Sequence, residues 1–205
     1  VGFTLLPSLT ARLETHAPKL KLRTITRAEQ QLDLLADGRL DFAIQLSRNS
    51  YPSEFRHYEL ASSPLAVFVR RDHPLTQQPI TEDNLRLFPQ INLYIADRAE
   101  IDDMDLPLSE VLGSAKGTVE TSHLLTAFEI LRSTNYTLVC PAYMARNGGA
   151  TRDLVTLPIP EEYGRTIEYS LVAHDRTARS SIHQWFWNEV IDTVRALRVR
   201  TVHRG

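Results

Sequence analysis

Leucines at positions 5, 9 and 13, with Leu6 beside them, trace one face of a helix, while Arg12 and Glu14 point elsewhere. Pro7 suits such a helix in its first turn, where its missing N–H would have no partner, and His16-Ala17-Pro18 ends it. Lys19 to Ile25 alternates with period two and predicts a strand. A second helix is predicted from Ala28 to Asp37, with Leu32 and Leu35 inward and Gly38 at C′, followed by a strand over Leu40 to Ile44. Helix, strand, helix, strand with tight connections predicts βαβ units and a parallel sheet. A helix followed by parallel strands normally has a strand feeding it, so a further strand is expected just ahead of Val1.

Beyond the polar run Gln45 to Ser53, strands are predicted at Phe55 to Leu60 and Leu65 to Val69. Arg70 to Pro74 reads as a turn, with Thr81 capping a short helix after it. Gln90 to Ile95 reads as a strand, Ala96 to Asp105 as an acidic loop, and Pro107 to Leu112 as a short helix closed by Gly113. Strand Gly117 to Glu120, helix Ser122 to Arg132, strand Thr137 to Cys140 and a short helix opening at Pro141 follow. Further strands are predicted at Leu154 to Leu157 and Ile167 to Ala173. The last and longest helix carries Ile182, Trp185, Phe186, Val190, Val194 and Leu197 as its apolar stripe, with Trp187 partly exposed.

Composition narrows the function classes. At 205 residues the chain is one large domain or two lobes, and 42% apolar with 23% charged residues describes an ordinary globular protein. Its net charge of −2 argues against a main task of coating nucleic acid or an anionic membrane. One cysteine, Cys140, excludes an internal disulfide framework and a multi-Cys zinc site, and agrees with a reducing compartment. It lies inside an apolar strand and reads as an inert buried thiol. Glu100, Asp102, Asp103 and Asp105 lack the Gly and terminal Glu of an EF-hand loop, so no metal or cofactor is expected.

The succession of elements resembles the effector-binding domain of LysR-type transcriptional regulators. Leu5 through Pro18 and Leu34 to Ile44 look like that family's first helix and its helix-Gly-strand unit. Val67 to Leu75 looks like the strand crossing between lobes with its Asp-His-Pro-Leu turn, and Val119 to Pro141 like the strand-helix-strand unit of the second lobe. His123, and His174 with Trp185 eleven positions later, are similar to the branch of nodulation regulators and regulators responding to small aromatic acids. One departure is Ser133-Thr134-Asn135-Tyr136, where many such domains carry Gly-x-Gly. The resemblance implies an α/β fold of two Rossmann-like lobes joined by two crossing strands, like a type II periplasmic binding protein. Lobe I would be 1–66 plus 167–205, and lobe II 67–166. A winged helix-turn-helix would precede them, so DNA contact is expected only through that separate domain. Arg195, Arg198, Arg200 and Arg204 read as a solvated helix end. A small-molecule effector in the inter-lobe cleft, self-association as dimer or tetramer, a cytoplasmic location and no membrane partner are also implied.

Ligands in open α/β sheets collect outside the carboxyl ends of strands, where helix N-termini present bare N–H groups. Thr121 and Ser122 fall at such a junction, where their hydroxyls and the helix amides suit a carboxylate, and His123 adds an imidazole donor. Ser122 equally suits a plain N-cap. Phe3 and Thr4 occupy the corresponding junction of the first lobe, and Gln45 follows the strand ending at Ile44. Tyr94 near the end of its strand and His174 at the end of the returning strand complete the candidate contacts, although a core tyrosine and a structural histidine fit as well.

Two other function classes compete. An enzyme is disfavoured, because no G-x-S-x-G elbow, H-E-x-x-H pair, P-loop or G-x-G-x-x-G is present. A free-standing solute receptor of a transport system shares the implied fold and differs in the segment preceding it.

Overall fold

The leucine stripe of the first segment forms α1 (Gly2–His16), burying Leu5, Leu9 and Leu13. A computed structural model describes residues 2–25, 30–93, 117–146, 149–160 and 166–202. Because α1 begins at Gly2, Pro7 lies in its second turn, where its lack of an N–H removes one rung of the helix. The chain divides into two compact units, Val1–Ala61 with Glu168–Gly205, and Ser62–Ile167.

In the first unit α1 packs on α6 (Ser181–Val202). Trp187, Val190, Ile191 and Val194 of α6 join the three leucines, Leu60, Leu171 and Ala173 in one core. That corrects the expected stripe. Trp187 is buried, Trp185 and Phe186 are partly buried at the margin, and Ile182 is 54% exposed. The face that meets α1 runs through 187, 190, 191 and 194, so residue 182 falls outside it. Arg195 donates to the Tyr58 hydroxyl (3.2 Å) and Arg198 to the Leu60 carbonyl (2.7 Å), ties that the picture of a solvated helix end did not contain.

Helix α2 (Gln31–Asp37) ends at Gly38, whose φ of 74° is left-handed. The amides of Arg39 and Leu40 return to the Leu34 carbonyl, closing the helix as the glycine predicted. Strand β1 (Ala43–Leu46) then pairs antiparallel with β7 (Thr166–His174), Gln45 opposite Ser170. The expected strand over Lys19 to Ile25 does not form: residues 20–25 carry no regular structure, and Leu22 and Ile25 are exposed. Alternation supplies a two-faced segment, but a ladder needs a neighbour, and no strand pairs with this segment among the described residues. The parallel pairing expected in this region is therefore replaced by the antiparallel β1–β7 pair.

The second unit contains the parallel sheet. Its strand order is β6–β2–β5–β3–β4, from β2 (Phe55–Arg70), which belongs to this unit from Ser62 onward, β3 (Gln90–Leu93), β4 (Thr118–Thr121), β5 (Thr137–Pro141) and β6 (Leu154–Pro158). Strand β3 is parallel to both β4 and β5, whereas β2 is antiparallel to β5 and β6. The two strands expected over 55–69 are a single strand, β2, which runs through Ser62-Ser63-Pro64 without a break. The short α3 (Glu82–Arg86) is capped by Thr81, whose hydroxyl accepts the Asn84 N–H at 3.2 Å. Helix α4 (Leu124–Ser133) lays Ala127, Phe128 and Leu131 on Phe68, Ile91, Leu138 and Cys140. The last short helix, α5 (Asp175–Ala178), follows β7 in the first unit. The acidic loop and the helix predicted between Ala96 and Leu112 lie outside the described residues.

Candidate functional site

Strand β4 ends at Thr121 and α4 begins at Leu124, so Thr121-Ser122-His123 forms the corner between a parallel strand and a helix. The Thr121 hydroxyl accepts the His123 N–H at 3.1 Å, which turns the chain into the helix. His123 itself takes the N-cap position, with extended φ and ψ and no capping bond from its imidazole. Ser122 is therefore not the cap, and His123 precedes the helix rather than entering it. The first bond of the helix runs from the Ala127 N–H to the His123 carbonyl at 3.0 Å. That leaves the N–H groups of Leu124, Leu125 and Thr126 without an acceptor inside the helix. Ser122 and His123 are exposed beside them. A hydroxyl, an imidazole and a bare helix N-terminus thus share one corner, an arrangement of donors suited to an anion.

The remaining candidates separate. Thr4 is half-buried in the first turn of α1, and the side chain of Phe3 lies outside the described residues, as does Tyr94. Gln45 lies inside β1 rather than after it and is buried, its Nε2 donating to the Tyr51 hydroxyl at 3.4 Å. His174 caps α5: its Nδ1 accepts the Arg176 N–H at 3.2 Å, which puts the neutral ring's hydrogen on Nε2. The ring also stands edge-on to Phe55 at 5.3 Å. Since Gln45 pairs with Ser170, His174 is four residues further along β7, roughly 13 Å away at the rise of a strand. The structure does not bring these two together.

A polar cluster around Gln45 went unread in the sequence. Ser47 and Ser170 share a hydrogen bond at 2.8 Å, the Tyr51 hydroxyl also accepts the Arg48 N–H at 3.3 Å, and the Tyr51 ring stacks on His57 at 4.5 Å. Its members come from β1, the following loop, β2 and β7, so no local spacing marks them. His73, read only as part of a turn, is buried. Its Nδ1 accepts the Leu75 N–H (3.1 Å), and its Nε2 meets the Asn135 carbonyl (3.1 Å). Burial pushes its pKa down, the Asn135 carbonyl opposes that, and Arg70 adds to it. Burial likewise pushes the Cys140 thiol up, so it carries no thiolate chemistry at neutral pH. Among the described residues, no group of three or more His, Cys, Asp or Glu side chains is placed to hold a metal ion. No described helix is long and apolar enough to cross a membrane.

The family model of the LysR substrate binding domain matches residues 1–195. The chain belongs to the LysR substrate-binding domain family. It is 27% identical to the HTH-type transcriptional regulator SyrM of Rhizobium meliloti over 91% of this chain and 56% of that protein. That similarity is consistent with the nodulation branch. The chain thus spans about half the length of the curated relatives it matches. Two solved structures share its fold. The regulatory domain of MexT, a transcriptional activator in Pseudomonas aeruginosa, superposes with a TM-score of 0.73 at 21% identity, covering 94% of both chains. A putative transcriptional regulator from Vibrio parahaemolyticus gives 0.77 at 22% identity, covering 96% of this chain and 91% of that one. The fold is the mixed α/β, type II periplasmic-binding-like fold of LysR regulatory domains. Membership in this family of transcriptional regulators supports a non-enzymatic role.

Proposed function

We propose that this LysR-type domain senses a small anionic effector, an aromatic or hydrophobic carboxylate, and through it controls DNA binding and transcription by the full-length regulator. The observation that carries this reading is the corner at Thr121-Ser122-His123, where exposed donors surround the open N-terminus of α4. A carboxylate there accepts from the helix amides, the Ser122 hydroxyl and the His123 imidazole, while the helix dipole favours its charge. Of the further contacts expected, Gln45 is engaged by Tyr51 and His174 by the Arg176 N–H, so the corner carries the proposal.

The domain also serves self-association, with α1 of one subunit packing on α4 of another, so that the effector corner and the subunit contact share one helix. An effector that prefers one arrangement of subunits then shifts the population toward it. DNA contact belongs to a helix-turn-helix in the full-length protein, which acts in the cytoplasm.

A thermal-shift series with aromatic and aliphatic carboxylic acids, run on the chain and on its His123→Ala and Ser122→Ala variants, tests the reading. An acid at a hundred times its dissociation constant stabilises by about 2.7 kcal/mol, a visible rise in midpoint. A rise that weakens in both variants supports the corner. A rise that survives both moves the effector elsewhere, and no rise with any acid overturns the anionic effector.

A further inference from the structure

The segment Ser133–Tyr136, which leads from α4 into β5, is held almost entirely by side chains. The Thr134 hydroxyl donates to the Ile130 carbonyl at 2.6 Å and accepts the Tyr136 N–H at 3.2 Å. The Ser133 hydroxyl meets the Glu129 and Ile130 carbonyls at 3.2 and 3.3 Å. Arg70, the last residue of β2, donates from Nε and Nη2 to Asn135 Oδ1 at 3.2 and 2.9 Å. Arg132 donates from Nη1 to Glu129 Oε1 at 2.5 Å and from Nη2 to the Ala150 carbonyl. Beside these groups is a cavity of about 240 Å³ lined by Arg70, Arg132, Ser133, Thr134 and Asn135. All of them belong to the second unit.

The charge around this cavity is one-sided. Two guanidinium groups line it and, among the described residues, no carboxylate does. Glu129 offsets Arg132, but its side chain is 72% exposed and so screened by water. Arg70 bonds only to a neutral amide oxygen and has no carboxylate partner among the described residues. Ser133 and Thr134 spend their hydrogens on helix carbonyls, so a ligand finds its donors on the two arginines. Asn135, Glu129 and the Ala150 carbonyl hold the two guanidinium groups in place and leave Arg70 Nη1 and Arg132 Nε to donate, which selects a ligand that is all acceptor and carries charge, the chemistry of a tetrahedral oxyanion. The carboxyl end of α4 is the negative end of its dipole, and Arg132 in the last turn counters it.

We propose that this cavity is a second ligand site, independent of the Thr121–His123 corner, and that it takes a phosphate-class oxyanion between Arg70 and Arg132. The site is at the opposite end of α4 from that corner, about 15 Å away along a ten-residue helix.

Arginine Nε–Hε resonances of the 205-residue chain, followed during titration with inorganic phosphate and with sodium chloride at matched ionic strength, test this. The expected result is a saturable shift of the Arg70 and Arg132 resonances with phosphate and not with chloride. Arg70→Gln and Arg132→Gln should each weaken phosphate binding about tenfold, the worth of one charge-assisted contact, while His123→Ala leaves it unchanged. Arg70→Lys keeps the charge without the fork and should bind phosphate between the wild type and Arg70→Gln, which guards against a misfolded glutamine variant. An equal response to chloride, or binding abolished by His123→Ala and untouched by both glutamine variants, overturns the site.

Discussion

Arg12 of α1 donates its Nε–H to Glu189 of α6 at 3.0 Å, across the helix pair that builds the core of the first unit. The other carboxylate oxygen of Glu189 meets His16 Nδ1 at 3.2 Å. Only 11% of the Glu189 side chain is exposed, and its burial is answered by a guanidinium and an imidazole from a single neighbouring helix.

Burial alone would raise the pKa of Glu189; the bonds and charges of Arg12 and then His16 outweigh it and hold the carboxyl below its ordinary 4.5. A depressed carboxyl contributes stability that is present above the unfolded value and lost as pH falls through the folded one. Urea midpoints should therefore fall as pH drops below about 4.5, and Glu189→Gln should flatten that part of the curve. At pH 7 the same variant should cost about 1.5–3 kcal/mol, the worth of hydrogen bonds to a charged group.

His73 behaves in the opposite charge sense with the same direction in pH. Its lowered pKa means that the unfolded chain takes up a proton near the ordinary 6.5 while the folded one does not. Stability is full above 6.5 and declines as pH falls from there toward the folded pKa, below which it levels. Imidazole resonances should show His73 titrating below the ordinary 6.5. His73→Ala should lower stability by about 2–4 kcal/mol, through two lost hydrogen bonds and the packing on Phe88 at 4.6 Å.

Trp187 and Ile182 occupy one helix with opposite burial. Trp187→Ala should cost about 3–5 kcal/mol in a denaturant titration, because it opens a cavity among Leu5, Leu9 and Val190. Ile182→Ala should stay within about 0.5 kcal/mol of the wild type. Equal costs would mean that α6 presents another face.

Gly38 offers a test with a built-in partner. A Cβ at this position would stand 2.8 Å from the Arg176 guanidinium, and φ of 74° is strained for any residue but glycine. Gly38→Ala should cost about 1–2 kcal/mol from the left-handed backbone, plus whatever displaces Arg176 from the Leu35 carbonyl. Measured in an Arg176→Ala background, the same substitution should cost less, and the difference is the contact term.

The sequence by itself determined the elements whose signals are local. The leucine stripe of α1, the glycine that ends α2, the threonine that caps α3 and the strand-helix-strand succession of the second unit follow from period, cap chemistry and turn chemistry over a few residues. The corner at Thr121-Ser122-His123 was legible for the same reason, since a strand followed at once by a helix leaves open amides wherever it occurs. Tertiary structure decided everything that needs a partner from far along the chain. Lys19 to Ile25 alternates like a strand and forms none, because a ladder is a property of two segments. Trp187 and not Ile182 is buried, because the buried face of α6 is chosen by α1. Gln45 turns inward onto Tyr51, His174 caps a helix, and Arg70 meets Asn135 across 65 positions, contacts written in no local pattern. Periodicity says that a residue has a face; only the neighbour that covers it says which one.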